Sequence, residues 1–178
     1  MKSKILAIFF ILISISSKAQ IQRHFWGLEL GESTKSEVRD FMNRNNLIPS
    51  KVNGGYDCFI ILDEKVSLGG YSWSPTFEFY SNKLFSIELC LTHLEVDDQI
   101  GIVDNSSINT SLFYELKKRI GAKYENVEVI ISPQNPKYQY ILRDNNTVLV
   151  LELDDKKNLF LEYYDRKLGR QQRDAGDF

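Results

Sequence analysis

The sequence predicts an α+β domain: an antiparallel β-meander with helices packed on one face, built as two tandem helix-plus-strands units. Three observations predict it. Apolar residues recur at helical spacing at Val38, Phe41 and Met42, and again at Ile108, Leu112, Leu116 and Ile120. Each stripe is followed by short runs that alternate apolar and polar residues, the signature of half-buried strands. The runs are separated by Ser81-Asn82-Lys83, Asp144-Asn145-Asn146 and Asp154-Asp155-Lys156-Lys157. Such connections are too short for a crossover, so the strands they join must be antiparallel.

Ahead of the domain stands a leader. Lys2 and Lys4 precede an apolar run from Ile5 to Ile15, and Ser17-Lys18-Ala19 puts small residues where a signal peptidase reads. The run falls short of the about 20 residues needed to span a bilayer. No Cys follows it to carry a lipid. Residues 1–19 are therefore expected to be a cleaved signal peptide, and the mature chain a periplasmic or secreted bacterial protein without a transmembrane segment. The leader carries three lysines and no acid, so the formal charge moves from −2 for the whole chain to −5 for the mature part. That acidity excludes nucleic acid as a natural partner, since phosphate neutralisation needs a basic face.

The first unit spans about 24–93. Thr34 and Glu37 have capping-box spacing, and Asn45-Asn46 marks the end of the helix. Strands are expected at Cys58–Leu62, Val66–Leu68, Pro75–Tyr80 and Leu84–Thr92. In the last of these, Phe85, Ile87, Leu89 and Leu91 share a face, opposite Ser86, Glu88 and Cys90. Residues 93–105 read as a connector. The second unit, about 106–165, opens with the longer helix, for which Gly121 is the expected C-terminal cap. Strands follow at Val127–Ile131, Tyr138–Leu142, Thr147–Leu153 and Leu159–Tyr164. The 166–178 tail is polar and expected to fray.

Few residues point to catalysis. The mature chain holds two cysteines, Cys58 and Cys90, and two histidines, His24 and His93. In an oxidising compartment the cysteine pair invites a disulfide, against the alternative of two buried thiols. A Cys90–His93 nucleophile pair is disfavoured, because residues three apart on a strand face opposite sides. No G-x-S-x-G elbow, H-E-x-x-H helix or phosphate-binding loop is present. The acidic pairs Asp63-Glu64, Asp97-Asp98 and Asp154-Asp155 fall at turns or in the connector, where solvated acids are ordinary. No catalytic residue, cofactor or metal is assigned.

What remains is surface recognition. Tyr71 and Trp73 lie in Gly69-Gly70-Tyr71-Ser72-Trp73-Ser74-Pro75, a composition that suits a binding loop with two rigid anchors. The competing reading has both extending a strand and packing over the core edge. Tyr138 and Tyr140 project from one strand face, and Tyr163 and Tyr164 from opposite ones, so a Tyr-lined sheet face is a second candidate surface.

The run Gly27-Leu28-Glu29-Leu30-Gly31 leading into Thr34-Lys35-Ser36-Glu37-Val38 resembles the opening of many small exported α+β proteins. These include the SmpA/OmlA outer-membrane lipoproteins and proteins of the β-lactamase-inhibitor-protein fold. Leu116 to Tyr124, with Leu159 to Asp165, resembles the ending of other exported proteins of this kind. The resemblance implies a helix-on-sheet fold with partner binding and carries over no catalytic residue. The expected function is a non-enzymatic interaction protein of the cell envelope, taking a protein or glycan partner through a sheet face or the aromatic loop. The alternatives are a small exported hydrolase using Cys90 or a Ser with a histidine base, and an inhibitor or immunity-type protein.

Overall fold

The computed structural model describes residues 20–50, 57–92, 94–97, 101–130 and 138–175. A short hairpin of β1 (His24–Phe25) and β2 (Leu28–Glu29) leads into α1 (Lys35–Arg44). Then come β3 (Cys58–Ile60), β4 (Val66–Leu68), β5 (Tyr71–Tyr80) and β6 (Lys83–Leu91). A second hairpin, β7 (Leu94–Asp97) and β8 (Gly101–Asp104), occupies what reads in sequence as a plain connector. The second half is α2 (Ser106–Lys123), β9 (Glu128–Ile130), β10 (Gln139–Arg143), β11 (Thr147–Leu153), β12 (Leu159–Asp165) and α3 (Arg166–Asp174).

The two halves repeat a plan and share one sheet. Its eight strands run β3-β5-β6-β12-β11-β10-β9, with β4 also paired to β5, and every pairing is antiparallel. The last strand of each half meets the other's: β6 pairs β12 with Ile87 opposite Tyr163 and Leu89 opposite Leu161. Opposed residues point to the same side, so one face carries Phe77, Ile87, Tyr163, Leu149 and Leu142 in a row across the sheet. α1 and α2 cover that face. Val38, Phe41 and Met42 of α1 and Leu112, Phe113, Leu116 and Ile120 of α2 join the same buried cluster. The Phe41 ring meets Phe77 edge-on at 6.0 Å, and Phe113 meets Tyr138 at 5.9 Å.

Local chemistry explains the elements. Thr34 and Glu37 form the capping box their spacing predicts, each side chain bonding the other's backbone N–H. Ser81 and Asn82 both have positive φ, as do Gly69 and Gly70, which gives two tight hairpin turns matched to the twist of their strands. Asn109 is buried in α2 because its side-chain amide donates to the carbonyls of Leu91, Thr92 and Lys157, pinning the helix to two strand ends.

Several expectations are corrected. Gly121 does not cap α2: the helix continues to Lys123, and a Cβ on Gly121 would approach the Tyr140 hydroxyl at 3.3 Å. Ile108 begins the apolar spacing yet stays exposed. Phe85 leaves the face of Ile87 and Leu89, because a register shift between Glu78 and Phe79 leaves it without a cross-strand partner. It packs instead on Tyr164, on the opposite side.

The tail expected to fray is α3. Asp165 caps it by accepting from the Leu168 N–H at 2.8 Å, and Leu168 and Gly169 are buried. Asp165 also accepts from Arg23 at 2.7 Å, which ties the first strand to the last. Gly31 sits at φ +82°, and a Cβ there would come within 2.6 Å of the Asp165 carboxylate and 2.9 Å of the Arg23 guanidinium.

Leu89 is fully buried at the seam between the halves. Leu89→Ala is expected to lower stability by about 2–5 kcal/mol in urea denaturation, as truncation in a close-packed core does. A loss under about 1 kcal/mol would show that the seam is loosely packed.

Candidate functional site

Tyr71 and Trp73 belong to a strand, not a loop, because β5 starts immediately after the Gly69-Gly70 turn. Their fates differ. Trp73 is 1% exposed and its indole N–H donates to the Leu68 carbonyl at 3.0 Å, so it is a core residue and cannot act as a surface anchor. Tyr71 remains half-buried and open on one side. Its hydroxyl donates to Glu115 at 3.1 Å across to α2, and Arg119 reaches both groups at 3.4 Å.

Tyr71 thereby stands between two clefts. One, of about 510 Å³, lies between the β4–β5 turn and the C-terminal half of α2. Leu68, Trp73, Leu116, Ile120 and Tyr163 make it apolar, and Arg119 and Lys123 stand at its edge. Among the described residues its lining contains no acid. The other, of about 590 Å³, runs from Tyr71 past Leu91 to Ile108 and Leu112, with Glu115 in its wall. The same residues that cover the core edge therefore also shape a groove. Its helix wall was not legible in sequence, since Leu116 and Ile120 look like ordinary core positions.

Tyr138 and Tyr140 do share a strand face, but it is the helix-covered one. Tyr138 packs edge-on against Phe113 and Tyr114 of α2, with the Lys157 ammonium 4.7 Å from its ring centre. Tyr140 lies under the Lys117 ammonium at 5.3 Å. These tyrosines fasten α2 and do not line an open face.

The open face instead carries acids. Cross-strand register places Glu88 opposite Glu162, with Glu78, Glu152, Ser86 and Cys90 on the same side. Glu162 accepts from the Ser86 hydroxyl at 2.9 Å. Burial, opposed in part by that hydrogen bond and reinforced by Glu88, pushes its carboxyl up to about 7. Glu88 is raised by burial and by its acidic neighbours. No alternation pattern announces this row, because each Glu looks like the polar half of a strand.

The disulfide between Cys58 and Cys90 is not formed, and both are free thiols. Cys58 lies opposite Glu78, itself opposite Ser86, so Cys90 is two strands across and four residues along. That is about 15 Å, far beyond the about 7 Å limit for a bridge. Burial and Glu88 push the Cys90 thiol up to about 12, which leaves it protonated and poorly nucleophilic. His24 is exposed and its ring faces Glu29 at 3.1 Å, and His93 lies outside the described residues. Among the described residues no cluster of His, Cys, Asp and Glu suits a metal ion, and no helix is long and apolar enough to cross a membrane.

Two outcomes test this geometry. Without reductant, denatured protein should take up two alkylating groups, read by intact mass; none would indicate a bridge. Because the Glu162 pKa is raised above its unfolded value of about 4.3, its penalty is absent at acid pH and grows as pH climbs towards 7. Glu162→Gln should therefore gain stability relative to wild type by about 1–3 kcal/mol between pH 5 and pH 8. An equal effect at both pH values would place the carboxylate in water.

No protein-family model matches the chain, and no curated protein aligns with it significantly. Among solved structures, a DUF4309 family protein (YjgB) from Bacillus subtilis subsp. subtilis str. 168 aligns with 84% of this chain and 88% of its own, at 14% identity and a TM-score of 0.45. The fold itself, read from the strand pairings and helices, is a small α+β one with an antiparallel sheet. The comparisons do not show the expected likeness to the SmpA/OmlA lipoproteins or to the β-lactamase-inhibitor-protein fold.

Proposed function

We propose that this chain is an exported, non-enzymatic binding protein of the cell envelope, and that a protein partner inserts an apolar side chain between α2 and the β4–β5 turn. One observation carries the reading: an open apolar cleft whose edge bears Arg119 and Lys123 and whose lining has no acid among the described residues. Burying one large apolar side chain there contributes about 1.5–3 kcal/mol. Arg119 is already paired with Glu115, so Lys123 is the cation that favours a carboxylate beside that side chain, which makes an apolar residue next to Asp or Glu the fitting segment. Tyr71 supplies a rigid wall at low entropic cost.

Export is supported by the leader and by where packing starts. Ile21 is 2% exposed, and its N–H donates to the Asp144 carboxylate at 2.6 Å, so cleavage after Ala19 would leave only Gln20 ahead of the folded body. The inhibitor-like resemblance suits the same binding role, although fold alone does not assign it. The hydrolase reading has less support, since Cys90 is held protonated and His24 is engaged with Glu29.

The test compares wild type with Tyr71→Ala and Arg119→Glu in affinity capture from envelope and culture fractions, with thermal melts confirming the fold. A partner weakened about tenfold by both variants, about 1.4 kcal/mol, is the expected result. A partner retained equally by both would place binding elsewhere. Mass spectrometry of the native protein should find its N-terminus at Gln20; an intact Met1 would refute export by this leader.

A further inference from the structure

α3 lays one side of its helix across the end of the open sheet face. Arg166, Gly169, Arg170 and Arg173 recur at helical spacing and, with Arg143, Val148 and Tyr164 of the sheet, enclose a cleft of about 160 Å³. Four of the chain's eight arginines converge there, in a protein whose net charge is negative. Gly169 makes this closeness feasible, since a Cβ there would come within 3.2 Å of the Phe85 ring.

The charges are largely unspent. Arg143 is held by both carboxylate oxygens of Glu128, at 2.5 and 2.9 Å. Among the described residues no carboxylate pairs with Arg166, Arg170 or Arg173. Arg166 donates to the Asp144 carbonyl and Arg170 to the Arg166 carbonyl, contacts that orient each guanidinium and leave its charge intact. Tyr164 adds a hydroxyl. Burial and Glu162 raise its pKa while Arg173, Arg166 and Arg143 pull it back, which places all three cations within electrostatic reach of that oxygen.

Arg143 and Arg166 also line a second, larger cleft of about 460 Å³. Its other walls include Gln20, Asn126, Asn145 and Asn146, together with Glu128 and Asp144. Two cations and two acids cancel there, and the amides offer paired donors and acceptors of the kind that hold hydroxyl groups. The small cleft selects for a compact anion with several oxygens, since guanidinium forks match such groups bidentately. The large cleft selects for a neutral, hydroxyl-rich body attached to it.

We propose that these neighbouring clefts, which share Arg143 and Arg166 as walls, bind a sugar bearing a phosphate or sulfate ester, the ester among Arg166, Arg170 and Arg173 and the ring against Asn126, Asn145 and Asn146. The site shares no wall residue with the α2 cleft.

Isothermal titration calorimetry of the full mature chain at low salt tests this, with glucose 6-phosphate, glucose 6-sulfate, inorganic phosphate and glucose as probes. At least one ester should bind in the sub-millimolar range, about tenfold or more tighter than inorganic phosphate, with glucose silent. Its affinity should fall as salt rises. The exposed pair Arg170→Glu/Arg173→Glu should weaken it more than about tenfold with an unchanged melting temperature, and Asn145→Ala should weaken the ester but not inorganic phosphate. The relative affinities of the two esters identify whether phosphate or sulfate is preferred. Failure of both esters to bind, or binding indifferent to the arginine pair, overturns the site. Inorganic phosphate binding as tightly as the esters overturns the sugar.

Discussion

The pairing of β6 with β12 turns two meanders into one sheet, and the rest of the molecule is arranged around it. Ile87, Leu89 and Leu91 oppose Tyr163, Leu161 and Leu159 on the covered side, so the seam is also the middle of the core. Neither half has an independent centre: α1 packs on strands of the first unit and α2 on strands of the second, but both bury into one cluster. A half with its seam strand unpaired would expose a long hydrogen-bonding edge and an apolar row together. The price of joining the halves falls on the other side of the seam, where the same register sets Glu88 directly against Glu162.

That opposition organises the open face. Two carboxylates across a strand pair repel, and half-burial strengthens the repulsion by weakening solvent screening. The protein accommodates it by holding Glu162 to Ser86 and by letting it keep its proton near neutrality. In the next row of the sheet Tyr164 and Arg143 lie between Glu78 and Glu128, and α3 brings three more arginines over them. The face is consequently polarised along the strands, acidic in the middle and basic under α3.

How much of this could be read from sequence depended on the kind of signal. Capping at Thr34 and Glu37, the stripe of Val38, Phe41 and Met42, and the Ser81-Asn82 turn are local, and local rules identify them. The strand run Thr147–Leu153 is likewise bounded by its own turns. α3 was missed because its segment is polar, with too few apolar residues to show a period, and the β7–β8 hairpin because the short alternation Leu94-Glu95-Val96-Asp97 was read as part of the connector. α3 forms because Asp165 caps it and Phe85 and Tyr164 receive it, both tertiary facts. Aromatic residues were the hardest to place: Trp73 follows the strand reading and not the loop one, while Tyr138 and Tyr140 look like exposed anchors in a polar context yet pack against α2. The sites the fold does offer combine residues about 30 to 50 positions apart, as Tyr71 with Arg119 and Arg143 with Arg173.

Gly31 gives the chain's opening turn a reach that its position conceals. Its missing side chain leaves the room in which Arg23 and Asp165 meet, and Asp165 in turn holds the first amides of α3. The β1–β2 hairpin, the ion pair and α3 are therefore one mechanical unit. A disturbance at the hairpin would be transmitted as a tilt of the helix carrying Arg166, Arg170 and Arg173, and whatever settles among those arginines would in turn stiffen the opening turn. Two ends of the chain that share no secondary structure thus answer to the same few cubic ångströms of empty space.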